Sequence, residues 1–146
     1  MSNQNKIHSA LAEAMAARSY DKMTPVQEAV LKIEEADADL LVSAQTGSGK
    51  TLAFGISIAN TLLPENKEFN HPRLPCALVI APTRELALQV RKELEWLYAR
   101  TKAQFASCVG GMDPKVERRT LESGAHIVVG TPGRLRDHIE RSTLLL

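Results

Sequence analysis

Cysteines, aromatic residues and long apolar runs are all scarce in this 146-residue chain. Only Cys76 and Cys108 are present, and no cysteine or histidine pair has the spacing of metal ligands, so no structural metal site is expected. Each cysteine lies in an apolar run, which predicts two buried strand thiols in a reducing cytoplasm. There is no signal-peptide pattern and no apolar run near the ~18 residues of a membrane span, so we expect a soluble, cytoplasmic protein without a membrane partner.

Neither sign of charge dominates, since the formal net charge is +1, and this balance by itself indicates no class of partner. A hydrophobic share of 44% is typical of a globular domain, and 146 residues can enclose one hydrophobic core. The histidines are scattered and receive no predicted role: His8, His71, His126 and His138.

A glycine-rich segment, residues 44–51, directly follows the apolar run 40–42, which we predict to be a buried strand. Small residues let backbone N–H groups curl around phosphate oxygens. Lys50 would supply charge to the β- and γ-phosphates, Thr51 would ligate Mg²⁺, and a helix from Lys50 to about Leu62 would direct its positive end at them. A plain turn would need neither Lys50 nor Thr51. The segment therefore predicts a nucleoside-triphosphate site made of Ala44, Gln45, Thr46, Gly47, Ser48, Gly49, Lys50 and Thr51.

Thr24 and Pro25 open a predicted helix, and Gln27 stands three residues after the cap. Gln27 has two interpretations at this point. It closes a capping box with Thr24, or its amide pairs with N6 and N7 of adenine, which guanine would mismatch. Tyr20 could lie flat on the same base. The two roles are compatible, and spacing alone does not choose between them.

Continuous apolar strands are predicted at 77–81, 105–109 and 125–129 as well as at 40–43, alternating with helices. This alternation is typical of an α/β fold whose parallel sheet is covered by helices on both faces. Further helices are expected at 6–17, out of the turn at 82–87 with an apolar face that reaches Leu97, from 113, and out of the turn at 130–134 to about 140. An irregular loop is expected at 64–75.

The turns after the later strands are rich in glycine, proline and threonine: Pro82-Thr83, Gly110-Gly111 and Thr131–Gly133. Plain connectors have this composition too. Because ligands of such sheets bind at the carboxyl ends of the strands, threonine and arginine at two helix starts there also suit a second anionic ligand.

These motifs, in this order, resemble the first half of a DEAD-box RNA helicase. Tyr20 with Thr24–Gln27 is similar to the family's adenine-reading motif, and Ala44–Thr51 fits its Ala-x-Thr-Gly-x-Gly-Lys-Thr loop. Pro82–Ala87 reads Pro-Thr-Arg-Glu-Leu-Ala, as in the family, and Gly110-Gly111 and Thr131–Arg134 resemble its other RNA-backbone motifs.

The resemblance implies a RecA-like P-loop NTPase domain that binds ATP with Mg²⁺ and grips RNA without reading its sequence. Lys50 and Thr51 would be the catalytic residues of this segment, with Thr51 on the metal. Tyr20, Thr24 and Gln27 would join the loop in binding ATP or ADP. Arg84 and Arg134 would contact RNA phosphates alike, and the whole RNA set would be Pro82, Thr83, Arg84, Glu85, Gly110, Gly111, Thr131, Pro132, Gly133 and Arg134.

Departures from the family pattern predict a truncated domain. Ser19 replaces the usual glycine before the aromatic residue, no upstream aromatic residue stands near 1–3, and neither Asp-Glu-Ala-Asp nor Ser-Ala-Thr occurs. We expect residues 1–146 to be an incomplete first RecA-like domain, with an N-terminal helix and connector at 1–23 and a core at 24–141. The parent would be an ATP-hydrolysing RNA helicase.

For the 146 residues themselves, the alternative is a nucleotide- and RNA-binding module without turnover; a DNA translocase core fits the motifs less well. In the family's strand order the segment 40–43 would lack both neighbours and 77–81 would lack one. Since unpaired buried backbone groups are costly, we expect a rearranged sheet or self-association through a second copy.

Overall fold

Three helices precede an alternation of short parallel strands and helices in the computed structural model, which describes residues 7–33, 38–63, 68–72 and 74–146. The elements are α1 Ser9–Ala17, α2 Pro25–Leu31, α3 Lys50–Leu62, β1 Ala77–Ile80, α4 Arg84–Leu97, β2 Phe105–Cys108, α5 Pro114–Ser123, β3 Ile127–Gly130 and α6 Pro132–Glu140. Two compact units divide the chain: unit 1 holds the described residues up to Glu68 together with Trp96–Thr101, and unit 2 holds Phe69–Glu95 with Lys102–Leu146.

Unit 1 is built on the three N-terminal helices. Leu11 and Met15, four residues apart in α1, are both buried, as the apolar spacing predicts. Helix α1 begins after His8, whose Nδ1 accepts a hydrogen bond from the Ala10 N–H at 3.3 Å. Helix α3 has the predicted bounds, and the buried Tyr98 hydroxyl donates to the Gly55 carbonyl oxygen at 2.7 Å.

The strand predicted at 40–43 is wrong. Residues 38–45 contain no strand, and the Leu41 side chain is 99% exposed. A strand persists only where its backbone N–H and C=O groups find a neighbour, and no strand in the described ranges pairs with this segment. The expected direct re-pairing of the sheet therefore does not occur among these residues. Instead, residues 41–44 and helix α2 line an apolar groove of about 640 Å³.

Unit 2 contains a parallel three-stranded sheet in the order β1-β3-β2. Val128 stands in register between Leu78 and Ala106, and these side chains pack in one cluster with Leu135 of α6. Ser107 points to the opposite face, because successive strand side chains alternate. Its hydroxyl accepts from Arg91 Nη1 of α4 at 2.6 Å. Helices thus contact both faces of the sheet, as predicted.

The two cysteines differ in burial, which corrects the prediction of two buried thiols. Cys108 at the end of β2 is fully buried, whereas Cys76 is exposed. Cys76 lies one residue before β1, which is an edge strand of the described sheet and also leaves Ile80 59% exposed. In the described ranges, no helix has both the length and the apolarity to cross a bilayer.

Candidate functional site

The glycine-rich loop of unit 1 leads directly into α3, which begins at Lys50. Gly47 and Gly49 have φ angles of 79° and 86°, in the left-handed region that side chains disfavour. A β carbon at Gly49 would stand 2.6 Å from Gln27 Nε2, too close for contact. Glycine at this position therefore allows both the turn and the close approach of α2.

Lys50 folds back over this loop. Its ammonium group donates to the carbonyl oxygens of Ala44 and Gln45, the second at 2.9 Å. Ser48 Oγ is buried and has no hydrogen-bond partner among the described residues. These two features at a helix start fit a phosphate group. Its charged oxygens would replace the neutral carbonyl oxygens as partners of the lysine and would accept a hydrogen bond from the unpaired hydroxyl. Thr51 follows in the first turn of α3 and is half-buried.

Gln27 performs the capping role. It is 1% exposed, and its Oε1 accepts from the Thr24 N–H at 3.0 Å. Its Nε2 donates to the Gly49 carbonyl oxygen at 3.3 Å, which joins α2 to the phosphate loop. Both ends of the amide are therefore engaged within the protein. Adenine recognition by Gln27 stays a prediction. The amide keeps a second N–H and a second acceptor lone pair, but the base would have to reach a side chain that is 1% exposed.

Tyr20 stacks on Trp96, with ring centroids 5.4 Å apart and planes inclined by 28°. The Arg18 guanidinium carbon lies 4.7 Å from the centroid of the same tryptophan. Tyr20 remains 46% exposed, so stacking on a base is a prediction that its surroundings leave open. No sequence motif predicted this contact of Trp96, although the residue is the single tryptophan of the chain.

In unit 2, the turns after β1, β3 and β2 all leave the sheet at the carboxyl ends of its parallel strands, which we call the RNA edge. Ile80 and Cys108 are both in register with Gly130, so the three strands end together. The Thr131 N–H donates to the Cys108 carbonyl oxygen at 2.9 Å, and the Ala81 N–H donates to that of Gly130 at 3.0 Å. The parallel sheet thereby places Pro82-Thr83, Gly110-Gly111 and Thr131-Pro132 at a shared edge.

Two arginines lie on the glycine pair at this edge. A β carbon at Gly111 would collide with Arg84 Nη1 and stand 3.3 Å from its Cζ. One at Gly110 would meet Arg134 Nε and Nη2 at 3.9 Å. Both glycines have positive φ angles, 70° and 66°. The structure therefore brings together three predicted RNA motifs that are separated by 22 and 19 residues in the sequence.

The remaining predicted RNA residues start the two adjoining helices. Thr83 Oγ1 accepts from the Leu86 N–H at 3.2 Å, and the exposed Glu85 lies in the first turn of α4. Thr131 precedes α6 without a side-chain capping bond, Pro132 is the first residue of that helix, and a β carbon at Gly133 would meet nothing within 4 Å.

Glu117 and His138 form a buried pair that the sequence analysis missed. His138 Nε2 lies 2.7 Å from Glu117 Oε2, and both side chains are almost fully buried. Ligand atoms of Cys108, Glu117 and His138 lie within 4.8 Å of one another. Burial, together with the Glu117 charge, raises the pKa of the Cys108 thiol to about 12. Neither Glu117 nor His138 belongs to one of the sequence motifs, and only the fold makes the two residues neighbours.

The sequence model of the DEAD/DEAH box helicase family matches residues 24–145. The chain belongs to this family. It is 40% identical over 141 residues to the DEAD-box ATP-dependent RNA helicase CshA of Bacillus licheniformis. The aligned region covers 97% of this chain and 28% of that protein. It is 35% identical over 144 residues to the ATP-dependent RNA helicase RhlB of Shewanella sp. strain ANA-3, with 96% and 32% covered.

Solved structures of DEAD-box proteins share the fold. The crystal structure of a DEAD box protein from Methanococcus jannaschii superposes with a TM-score of 0.82 at 34% identity, over 97% of this chain and 37% of that one. The DEAD-box chain described here thus has the predicted α/β, RecA-like fold. It spans about a third or less of the length of the curated relatives named above.

Proposed function

We propose that this chain is the ATP- and RNA-backbone-binding segment of an ATP-dependent RNA helicase. The observation that carries the proposal is the contact of Arg84 with Gly111 and of Arg134 with Gly110 at one sheet edge. Backbone amides, threonines and a guanidinium at such an edge suit phosphate oxygens and carry no base information. Contacts to 2′-hydroxyl groups would favour RNA over DNA.

In unit 1 the proposed ligand is ATP or ADP. Lys50 would exchange the carbonyl oxygens of Ala44 and Gln45 for phosphate oxygens, which carry full negative charge. Thr51 would hold Mg²⁺, which neutralises phosphate charge when it is bound. Gln27 would then carry adenine recognition through an amide that already contacts the loop.

For the 146 residues by themselves, we propose binding without turnover. In-line phosphoryl transfer needs a carboxylate that holds the metal and a positioned water molecule. The Asp-Glu-Ala-Asp motif, to which the family resemblance assigns that role, does not occur in these residues. A cytoplasmic location remains part of the proposal and fits the two free cysteines.

The proposal is tested by titrating the chain with single-stranded oligouridylate and oligoadenylate, and with a DNA of matching length, at several salt concentrations. We expect weak binding, with similar affinity for both RNAs and lower affinity for DNA. The logarithm of the RNA affinity should fall linearly with the logarithm of the salt concentration. The control is Arg136→Ala, which removes an exposed arginine of α6 paired with Glu140. Strong preference for one RNA sequence, or tighter binding of DNA, would contradict backbone recognition of RNA.

A further inference from the structure

The two arginines at the RNA edge have different electrostatic surroundings. Arg134 Nε lies 3.5 Å from Glu117 Oε2, and its Nη1 lies 3.8 Å from Asp137 Oδ2. The Arg134 side chain is only 20% exposed. Glu117 thus already gives Arg134 a buried counter-charge, whereas Asp137 is shared with Arg141, whose Nε donates to its Oδ1 at 2.9 Å.

Arg84 has no such partner. Its side chain is exposed, and within the described ranges no carboxylate lies at ion-pair distance from its guanidinium group. Its Nη1 end approaches Gly111 so closely that a β carbon there would collide with it. A solvent-facing cation without a counter-charge gains more from a phosphate than one that is already paired.

Glu117 connects Arg134 to the glycine pair. Its Oε1 accepts from the N–H of Val109, the residue before Gly110, at 3.2 Å. Its Oε2 faces both His138 Nε2 and Arg134. Each carboxylate oxygen therefore has protein donors, and a metal ion held by Cys108, Glu117 and His138 would have to compete with the Arg134 guanidinium. The Glu117 carboxylate thus lies in a buried hydrogen-bonded network, in which His138 Nδ1 is buried without a hydrogen-bond partner among the described residues.

We propose that Arg134 and Glu117 are positioning residues that hold the Gly110-Gly111 turn, and that of the two arginines only Arg84 gives its charge to an RNA phosphate. This inference rests on the proposed RNA-backbone function. It departs from the motif pattern, which treats the two arginines as equivalent ligands.

The experiment measures the slope of log affinity against log salt for the 146-residue chain and single-stranded oligouridylate. Arg84→Ala is expected to make the slope shallower by about 0.7, the value for one phosphate contact on a single strand. Arg134→Met, which keeps an unbranched apolar side chain, is expected to lower affinity with the slope unchanged. Glu117→Gln keeps an acceptor for Val109 but releases the Arg134 charge, so the slope should become steeper.

Equal loss of slope in Arg84→Ala and Arg134→Met would overturn the inference, as would a shallower slope in Glu117→Gln. Thermal unfolding of the same variants tests the coupling without RNA. The destabilisation by Arg134→Met and Glu117→Gln should be strongly non-additive, and that by Arg84→Ala and Glu117→Gln should be additive. Additive behaviour of the first pair would also overturn it. Absence of salt-dependent binding by the unmutated chain would instead refute the RNA function, and the unfolding cycle would still decide the positioning role.

Discussion

The Nε2 atom of Gln27 donates to the carbonyl oxygen of Gly49 at 3.3 Å, so the residue expected to recognise the base also holds the loop expected to bind phosphate. Its Oε1 is engaged by the Thr24 N–H at 3.0 Å. Base recognition and loop geometry therefore share one side chain. A ligand that takes over the contact with Gly49 changes the restraint on the loop.

Gln27→Ala is expected to abolish the preference of the chain for ADP over GDP. An amide pairs with the exchangeable edge of adenine and mismatches that of guanine, and each neutral hydrogen bond contributes about 0.5–1.5 kcal/mol. The measurement is calorimetric titration with both nucleotides, with Gln89→Ala on the exposed side of α4 as the control. Equal affinities for ADP and GDP in the unmutated chain would remove the adenine role.

Lys50→Ala is expected to weaken ATP binding by about 1.5–3 kcal/mol, because a charge-assisted contact to phosphate is lost. The variant also frees the carbonyl oxygens of Ala44 and Gln45, which solvent can reach. Lys92→Ala on α4 serves as a matched control with the same loss of charge. An unchanged ATP affinity in Lys50→Ala would show that the loop does not hold the phosphates.

Gly111→Ala is expected to lower both stability and RNA affinity. The new methyl group would collide with the Arg84 guanidinium, at a φ angle of 66° that alanine adopts only with strain of about 1 kcal/mol. The matched control is Gly133→Ala, where a β carbon meets nothing within 4 Å and the residue lies in a helix. Thermal unfolding compares the two variants, and RNA titration compares Gly111→Ala with the unmutated chain. Equal stability of the two variants would contradict the close packing of Arg84.

Alkylation should distinguish the two thiols. Because burial raises the pKa of Cys108 to about 12, its thiolate is scarce near pH 8 and increases only as the pH approaches that value. Cys76 is exposed, so iodoacetamide should modify one thiol per native chain and two in denaturant, as peptide mass spectrometry would show. Rapid modification of Cys108 in the folded chain at pH 8 would contradict its burial.

Self-association is expected through the exposed apolar segment of unit 1. Leu41 is 99% exposed beside an apolar groove of about 640 Å³, and such surface tends to be covered by another molecule. Light scattering over a range of concentrations should show mass rising above that of a 16.0 kDa chain, and Leu41→Lys should reduce it. A concentration-independent monomer mass for the unmutated chain would remove this expectation.

Local chemistry determined much of this protein. Glycine spacing with Lys50 and Thr51 predicted the loop and the exact start of α3, and Asp113-Pro114 predicted where α5 begins, with Asp113 Oδ1 accepting from the Lys115 N–H at 2.9 Å. These features rest on contacts between residues a few positions apart. Propensity and capping rules describe such contacts well.

Tertiary structure alone decided the rest, because it depends on which distant groups become neighbours. The apolar run 40–42 has the composition of a strand but does not form one. Backbone pairing requires a partner strand, which the described residues do not supply. Arg84 and Arg134 both stand in the first turn of a helix within a predicted RNA motif, so their motifs alone do not distinguish their roles. Only the fold places Glu117 beside Arg134, and so separates an arginine with a balanced charge from one whose charge is free.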